Sequence, residues 1–366
     1  MHWVRPDLVA EVEFFEWTGR GALRHPSFVG LREDKPAKEI MEETSMPFGE
    51  NLTKRAHNPS GPRFDSSPSL HSNNMEAALS HPDKILYPRQ SITKRDLAEF
   101  YQHIAEWVLP HVTGRPLTLV RCPQGAQRKC FYQKHASDAL PDSIRRILIQ
   151  EKGKKEKKSY MVIDDVKGLL ALVQIGALEI HPWGCLEDRI DRPDRLVFDL
   201  DPGTGVGWNQ LIDGAYLIKK RLLEDGIESF VKTSGGKGLH VVAPLIRRTA
   251  WDELKHYTRS LASETARKHP AGYVATMSKA KRKEKIFIDY LRNSFGATSI
   301  ATYGTRALSN APVSTPVTWD ELSSLSGSQA FTLSSLRSRL QTLKKDPWEG
   351  FFDLRQFISR SVLPAS

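Results

Sequence analysis

The sequence is poor in cysteine, with only Cys122, Cys130 and Cys185 in 366 residues. So sparse and odd a set argues against a disulfide scaffold and suits a reducing cytosol. No C-x-x-C occurs, and Cys122 and Cys130 with nearby His135 do not match zinc-ligand spacing. Long apolar runs are also missing. The longest mostly apolar stretch, 168–180, is interrupted by Gln174 and is too short to span a bilayer. The N-terminal MHWVRPDLVAEVEFFEW has early acids and no apolar core segment, so no secretory signal is expected. A Walker-type G-x-x-x-x-G-K-[ST] loop is absent as well.

What is present is ordinary for a globular chain: 39% hydrophobic and 26% charged residues. At roughly 150 residues per domain, the length suggests two domains, or one large domain and a smaller piece. Net charge is +10 and unevenly placed. Residues 1–46 hold six Lys/Arg and nine Asp/Glu, a net −3, so the other 320 residues carry +13. A basic domain without a membrane segment points to a polyanionic partner, most commonly nucleic acid; the alternative is solubilising surface charge.

Three parts are expected. Residues 1–46 alternate apolar and polar positions in VRPDLVAEVEFFEWT and read as strand-rich, but too small for an independent core. Residues 47–72, with four prolines and no periodicity, read as a Pro/Ser-rich linker. Residues 73–366 read as one mixed α/β domain. Within it, helices are expected over 96–109 (capped by Thr93 or Ser91, ended by Pro110), 168–179, 209–225, 251–268, 318–325 and 332–345. Strands are expected over 195–200, 229–233, 239–244 and 285–290.

Chemistry concentrates at three strand ends. In LVFDLDPG, Asp199 and Asp201 lie two apart, so both carboxylates leave the same face of a strand. Like charges that close repel unless a cation lies between them, and hard divalent ions favour such oxygen ligands. A D-x-D also arises on surface turns. In KTSGGKGLHVV, three glycines let the backbone approach a ligand closely, with Ser234, Gly235 and Lys237 available to phosphate oxygens and His240 on the strand face opposite Leu239 and Val241. The plain alternative is a hairpin with an exposed lysine. In KIFIDY, Asp289 closes a β-rich run; with Asp199 and Asp201 it would complete a three-carboxylate cage for two divalent ions, while alone it reads as a turn aspartate. Two lysine-rich runs, 151–158 and 279–285, read as solvated loops or as flanks of this site, and Arg282 in the second lies seven residues before Asp289. Phe131 and Tyr132, in the basic context RKCFYQKH, are either core residues or a base-stacking platform.

These segments occur in a recognisable order: HPDKILYP (81–88), TKRDLAEFY (93–101), GRPLTLVRCPQG (114–125), FYQKH (131–135), QIGALEIHPWG (174–184), LVFDLDPG (196–203), TSGGKGLHV (233–241) and IFIDYLRN (286–293). Residues from about 80 to 325 thereby resemble the polymerase domain of bacterial ATP-dependent DNA ligase D, of the archaeo-eukaryotic primase superfamily. The resemblance implies an α+β catalytic core, with a central mixed or antiparallel sheet flanked by helices. It assigns Asp199, Asp201 and Asp289 to two Mn²⁺ or Mg²⁺ ions, and Ser234, Lys237, His240 and Arg306 to the incoming triphosphate. His181 falls beside the nucleotide sugar, Phe131 and Tyr132 near the templating base, and Lys84 and Lys94 in a pocket for a 5′-phosphate. Residues 1–46 resemble the end of the OB-type domain of the ligase module, with RHPSFVGLREDK similar to its last basic motif; no K-x-D-G adenylation motif is present, so nick sealing by this chain alone is not expected.

The function expected is therefore a cytoplasmic, nucleoid-associated primase-type nucleotidyltransferase of non-homologous end joining. It would add ribo- or deoxyribonucleotides to a DNA 3′-hydroxyl at ends or gaps bearing a 5′-phosphate. The implied partners are the bacterial end-binding protein Ku and a ligase module. The rivals are a metal-dependent nuclease using the same carboxylates, a non-catalytic DNA-end-binding module, and a residual ligase fragment.

Overall fold

The computed structural model describes backbone strands within residues 9–32 and the whole of residues 79–359. The chain divides into Met1–Pro62 and Arg63–Ser366. In the first unit, β1 (Val9–Glu13) pairs antiparallel with β4 (Ser27–Arg32), and β2 (Glu16–Trp17) with β3 (Leu23–Arg24). This matches the alternation in its sequence. The expected linker, 47–72, lies outside the described residues.

The second unit carries two larger sheets. One is antiparallel, in the order β11 (Ala177–Pro182), β7 (Leu117–Arg121), β10 (Lys157–Val162), β9 (Arg145–Gln150), with β8 (Phe131–Gln133) also on β7. A hairpin of β5 (Ile85–Tyr87) and β6 (Ile92–Thr93) leads into α1 (Lys94–His103). With α2 (Ala105–Val112), α3 (Val166–Gln174) and α6 (Leu333–Thr342), α1 contributes Leu97, Val108, Leu169 and Leu336 to a core shared with Leu117 and Leu119 of β7.

The other sheet is mixed. Its order is β15 (Tyr273–Val274), β16 (Ile286–Asp289), β12 (Arg195–Pro202), β14 (Leu239–Pro244), β13 (Phe230–Thr233), β17 (Pro316–Val317), with only β15–β16 parallel. Alternation along β12 settles its two faces. Leu196, Phe198 and Leu200 pack with Leu211 and Ile218 of α4 (Trp208–Glu224) and with Leu254 and Leu261 of α5 (Trp251–Lys268). Arg195, Val197, Asp199 and Asp201 therefore take the other face, where Val197 meets Val242, Trp348 and Phe351.

Three sequence expectations change. The run 96–109 is two helices, broken at Ile104 (φ −102°, ψ 15°). Thr93 caps the first through a reciprocal bond with Asp96. Pro110 sits inside α2 rather than ending it; the carbonyl its missing N–H would bond is that of exposed Glu106, where water can substitute. The run 168–179 stops being helical at Gln174, because Gly176 takes φ +79° and turns the chain into β11. The expected helix at 318–325 is a single 3₁₀ turn, Glu321–Ser324.

One pair of cysteines is joined all the same. Cys122 and Cys130 form a disulfide, with Cα atoms 4.3 Å apart. Arg121 pairs with Phe131 across the β7–β8 hairpin, so the next residues inward are these two cysteines. Spacing alone does not reveal that register. Cys185 is buried and free. No helix among the described residues is long and apolar enough to cross a membrane.

Candidate active site

Strand register builds the site. Asp199 lies opposite Asp289 on one side and His240 on the other, and His240 lies opposite Lys232. Side chains at paired positions share a face, so Asp289, Asp199, His240 and Lys232 form a row across four strands at roughly 4.8 Å per step. Asp201 follows two residues along β12, on the same face. The expected convergence of the three aspartates is what the sheet produces.

Arg292, from the turn Leu291–Asn293 just after β16, lies between two of them. Its Nε stands 3.1 Å from Asp289 Oδ2 and its Nη2 3.2 Å from Asp199 Oδ2. Burial disfavours ionised Asp199, but His240 (Nε2 to Oδ1, 3.3 Å) and Arg292 outweigh it and hold the carboxyl well below its usual range. Burial pushes His240 down to about 4, against the opposing pull of Asp199. Asp201 goes the other way: burial and the Asp199 charge raise it to about 6. Asp289 is raised too, mainly by burial, while accepting a bond from Leu291 N–H at 2.9 Å.

Among the described residues, no group of three or more histidine, cysteine, aspartate or glutamate side chains is set to hold a metal as it stands. Arg292 occupies that role electrostatically. The chemistry of the donor set nevertheless fits a hard divalent cation. Three carboxylates share one face, and burial together with mutual repulsion pushes two of them toward holding protons.

The glycine-rich turn joins β13 to β14 beside this row. Ser234 Oγ accepts from the backbone N–H of Gly236 (3.2 Å) and Gly238 (3.1 Å), so the hydroxyl expected at phosphate organises the turn itself. A Cβ on Gly238 would come within 2.3 Å of the Leu200 carbonyl oxygen, so the turn is pressed against β12 as only glycine allows. Arg306 donates to the Ser234 carbonyl (2.8 Å) and to Glu179 Oε1 (3.0 Å). Glu179, whose own burial penalty is outweighed by His181, Arg306 and the Ala307 N–H, is held at about 2; His181 Nε2 lies 2.8 Å from it. Burial lowers His181 below its usual value.

These groups line a cleft of about 450 Å³ that includes Tyr132, His181, Asp201, Lys237 and Arg306. A second cleft of about 1050 Å³ shares Asp201 and Lys237 and adds Lys279, Arg282 and Lys283. Arg282, expected near the site from its spacing, has Nη1 3.9 Å from Asp201 Oδ2 and its guanidinium 4.0 Å from the Phe287 ring centroid.

Phe131 and Tyr132 are 37% and 72% exposed, which favours a platform over core packing, and the Tyr132 ring lies 6.4 Å from that of His181. The two lysines of the expected 5′-phosphate pocket differ. Lys94 is buried, its Nζ bonded to Ser80 O (2.8 Å) and to Gln174 O and Oε1 (both 3.3 Å). Burial and the nearby Lys84 charge lower its pKa. Lys84 is only half-buried and is the one open to solvent.

Sequence reasoning does not reach Arg292, Glu179 or Lys232. Lys232 is 2% exposed and bonds Ile300 O (2.6 Å) and Ser314 Oγ (2.8 Å). The signal that could find it is strand alternation back from Ser234. That for Arg292 is its place three residues after Asp289.

Comparison with known proteins bears on the family of the chain. The family model for the LigD primase-polymerase domain matches residues 93–348, and that for the ATP dependent DNA ligase C terminal region matches residues 1–35. The chain is 36% identical to the multifunctional non-homologous end joining protein LigD of Pseudomonas aeruginosa, over 99% of this chain and 42% of that protein. It is 26% identical to the bifunctional non-homologous end joining protein LigD of Bacillus subtilis, over 92% of this chain and 51% of that one. It thus spans about half or less of either relative. Among solved structures, the polymerase domain of Mycobacterium tuberculosis ligase D in complex with DNA superposes with a TM-score of 0.69 at 30% identity, covering 76% of this chain and 98% of that one. The chain belongs to the LigD primase-polymerase domain family.

Proposed function

We propose that this chain is a DNA-directed nucleotidyltransferase of double-strand-break repair, extending 3′-hydroxyl ends with ribo- or deoxyribonucleotides, with or without a template base. One observation carries the reading: Asp199, Asp201 and Asp289 share one sheet face beside a glycine-rich turn, where two clefts meet at Asp201 and Lys237. A family resting on DNA chemistry and a basic second unit support it.

The three aspartates would hold two divalent ions, Mn²⁺ or Mg²⁺. Bound there, such ions lower the pKa of an attacking hydroxyl and neutralise a leaving pyrophosphate. The remaining roles belong to the chain itself. Arg292 keeps Asp199 ionised when its face carries no other cation. Lys237 and Arg306 supply point charge and a planar fork to the triphosphate. Glu179 fixes the His181 ring and Arg306 together, so the sugar and phosphate ends of a nucleotide meet groups of fixed separation. Tyr132 and Phe131 offer stacking faces to a template base. Lys84 faces a 5′-phosphate across a gap, with Lys94 behind it. A ligase module and the end-binding protein Ku are the natural partners, in the cytoplasm at the nucleoid.

The test is primer extension on gapped DNA with Mn²⁺ and ribonucleotides. Asp199→Ala with Asp201→Ala should remove extension; extension at the wild-type rate would refute the assignment. Lys237→Ala should raise the KM for nucleotide about tenfold, the effect of losing roughly 1.4 kcal/mol of binding. A nuclease using the same carboxylates would be indifferent to that change, and a non-catalytic end-binder would be indifferent to metal.

A further inference from the structure

The face of β12 that carries Asp199 and Asp201 begins at Arg195, and Arg195 lies in a different cavity. The rise of an extended strand puts it ~13 Å from Asp199 and ~20 Å from Asp201. This groove, of about 760 Å³, is lined by Arg189, Arg195, Arg247, Arg248 and Arg355, with Asp194 its one acidic lining residue.

Asp194 is already engaged. It takes a paired contact from Arg115 and a 3.2 Å contact from Arg195, and these charges hold it below the carboxylate range despite burial. Arg247 pairs with Asp188 at 2.5 Å. Arg189, Arg248 and Arg355 are exposed and make no ion pair among the described residues. Two aromatic rings complete the wall: Phe352 is 48% and Phe357 47% exposed, and the Arg248 guanidinium lies 5.5 Å from the Phe357 ring centroid.

We propose that this arginine–phenylalanine groove is a second nucleic-acid site, binding a single-stranded stretch of the DNA whose end lies at the carboxylates. Uncompensated guanidinium groups meet backbone phosphates, and exposed rings stack bases without regard to sequence. Arginine outnumbers lysine five to none in the lining, which suits planar phosphate and base-face contacts better than diffuse charge. The choice of occupant rests on the nucleic-acid reading above, whereas the groove and its charge do not.

The experiment uses the full chain, without metal or nucleotide, and fluorescence anisotropy with two labelled DNAs. One is a blunt duplex with a 5′-phosphate; the other carries an overhang of about 12 single-stranded nucleotides, within the span one single-strand groove can follow. Arg248→Glu with Arg355→Glu should weaken binding of the overhang DNA at least tenfold and lower its log–log salt slope by about 1.4, two single-strand phosphate contacts. Phe352→Ala should weaken it about fivefold or more through lost stacking. Blunt-duplex affinity should stay at the wild-type level, as should single-nucleotide extension on a short gap in a separate assay supplied with Mn²⁺ and nucleotide. Overhang affinity and slope unchanged in both variants would overturn the proposal, as would loss confined to binding of an acidic peptide such as poly-glutamate. Arg248→Gln with Arg355→Gln repeats the test if the charge reversal lowers the melting temperature. Failure of wild-type extension, by contrast, would sink the polymerase reading and leave the groove result standing.

Discussion

Replacing Asp201 by Asn should make the metal-free protein more stable and the metal-loaded protein less so. In the fold, burial and the Asp199 and Asp289 charges raise Asp201 from 3.8 to about 6. That gap of about 2 units is ~3 kcal/mol of disfavour for the ionised form. The carboxylate is 43% exposed, so solvent screening reduces the figure to ~1 kcal/mol. For a domain this large, ~1 kcal/mol moves the melting temperature by ~2–4 °C. The sign with pH follows from the raised value. Between about pH 4 and 6 the folded chain holds a proton that the unfolded chain has lost. This group's share of stability is thus full below about pH 4 and lost as pH rises through about 6. Asp201→Asn should flatten that slope. Mn²⁺ at about a hundred times its Kd would stabilise the wild type by ~2.7 kcal/mol, and most of this should vanish in the variant. Thermal melts at about pH 7.5, above the raised value, first with a chelator and then with Mn²⁺, should therefore cross: variant above wild type, then below. A variant that melts lower without metal, or gains as much from Mn²⁺ as the wild type, would refute the reasoning.

Lys84→Ala with Lys94→Ala should erase any preference for 5′-phosphorylated over 5′-hydroxyl gapped DNA in competition binding. Lys84→Ala alone should achieve most of this, because the Lys94 ammonium is already bonded to Ser80 and Gln174. Lys94→Ala alone should lower the melting temperature, since it strips a donor from the part-buried carbonyl groups of Ser80 and Gln174. Gly238→Ala should be severely destabilising, by several kcal/mol in chemical denaturation, because its Cβ would meet the Leu200 carbonyl at 2.3 Å.

Much of the site is legible along the chain because strands have a two-residue period. That period alone places Asp199 with Asp201 and turns His240 away from Leu239, and the folded sheet keeps both relations. The short runs RLVFDL, LHVVAP and IFID are bounded by glycine, proline or charge, so their strands are delimited nearly to the residue. What stays hidden depends on register between distant segments. The disulfide follows from how β7 meets β8, and the Asp289–Asp199–His240–Lys232 row from how four strands align. The break at Ile104 has no glycine or proline to announce it. Gly176 does announce the end of α3, inside a run so apolar that helix and strand look alike. Salt-bridged partners such as Arg292 and Glu179 are ordinary charged residues along the chain and acquire meaning only beside Asp199 or Arg306.

The most direct measurement is anomalous diffraction from crystals holding Mn²⁺ and a non-hydrolysable ribonucleoside triphosphate. Manganese peaks should touch carboxylate oxygens of Asp199, Asp201 and Asp289, with Arg292 displaced from between them and the triphosphate on Lys237 and Arg306. Manganese bound elsewhere, or a triphosphate remote from the glycine-rich turn, would contradict the account.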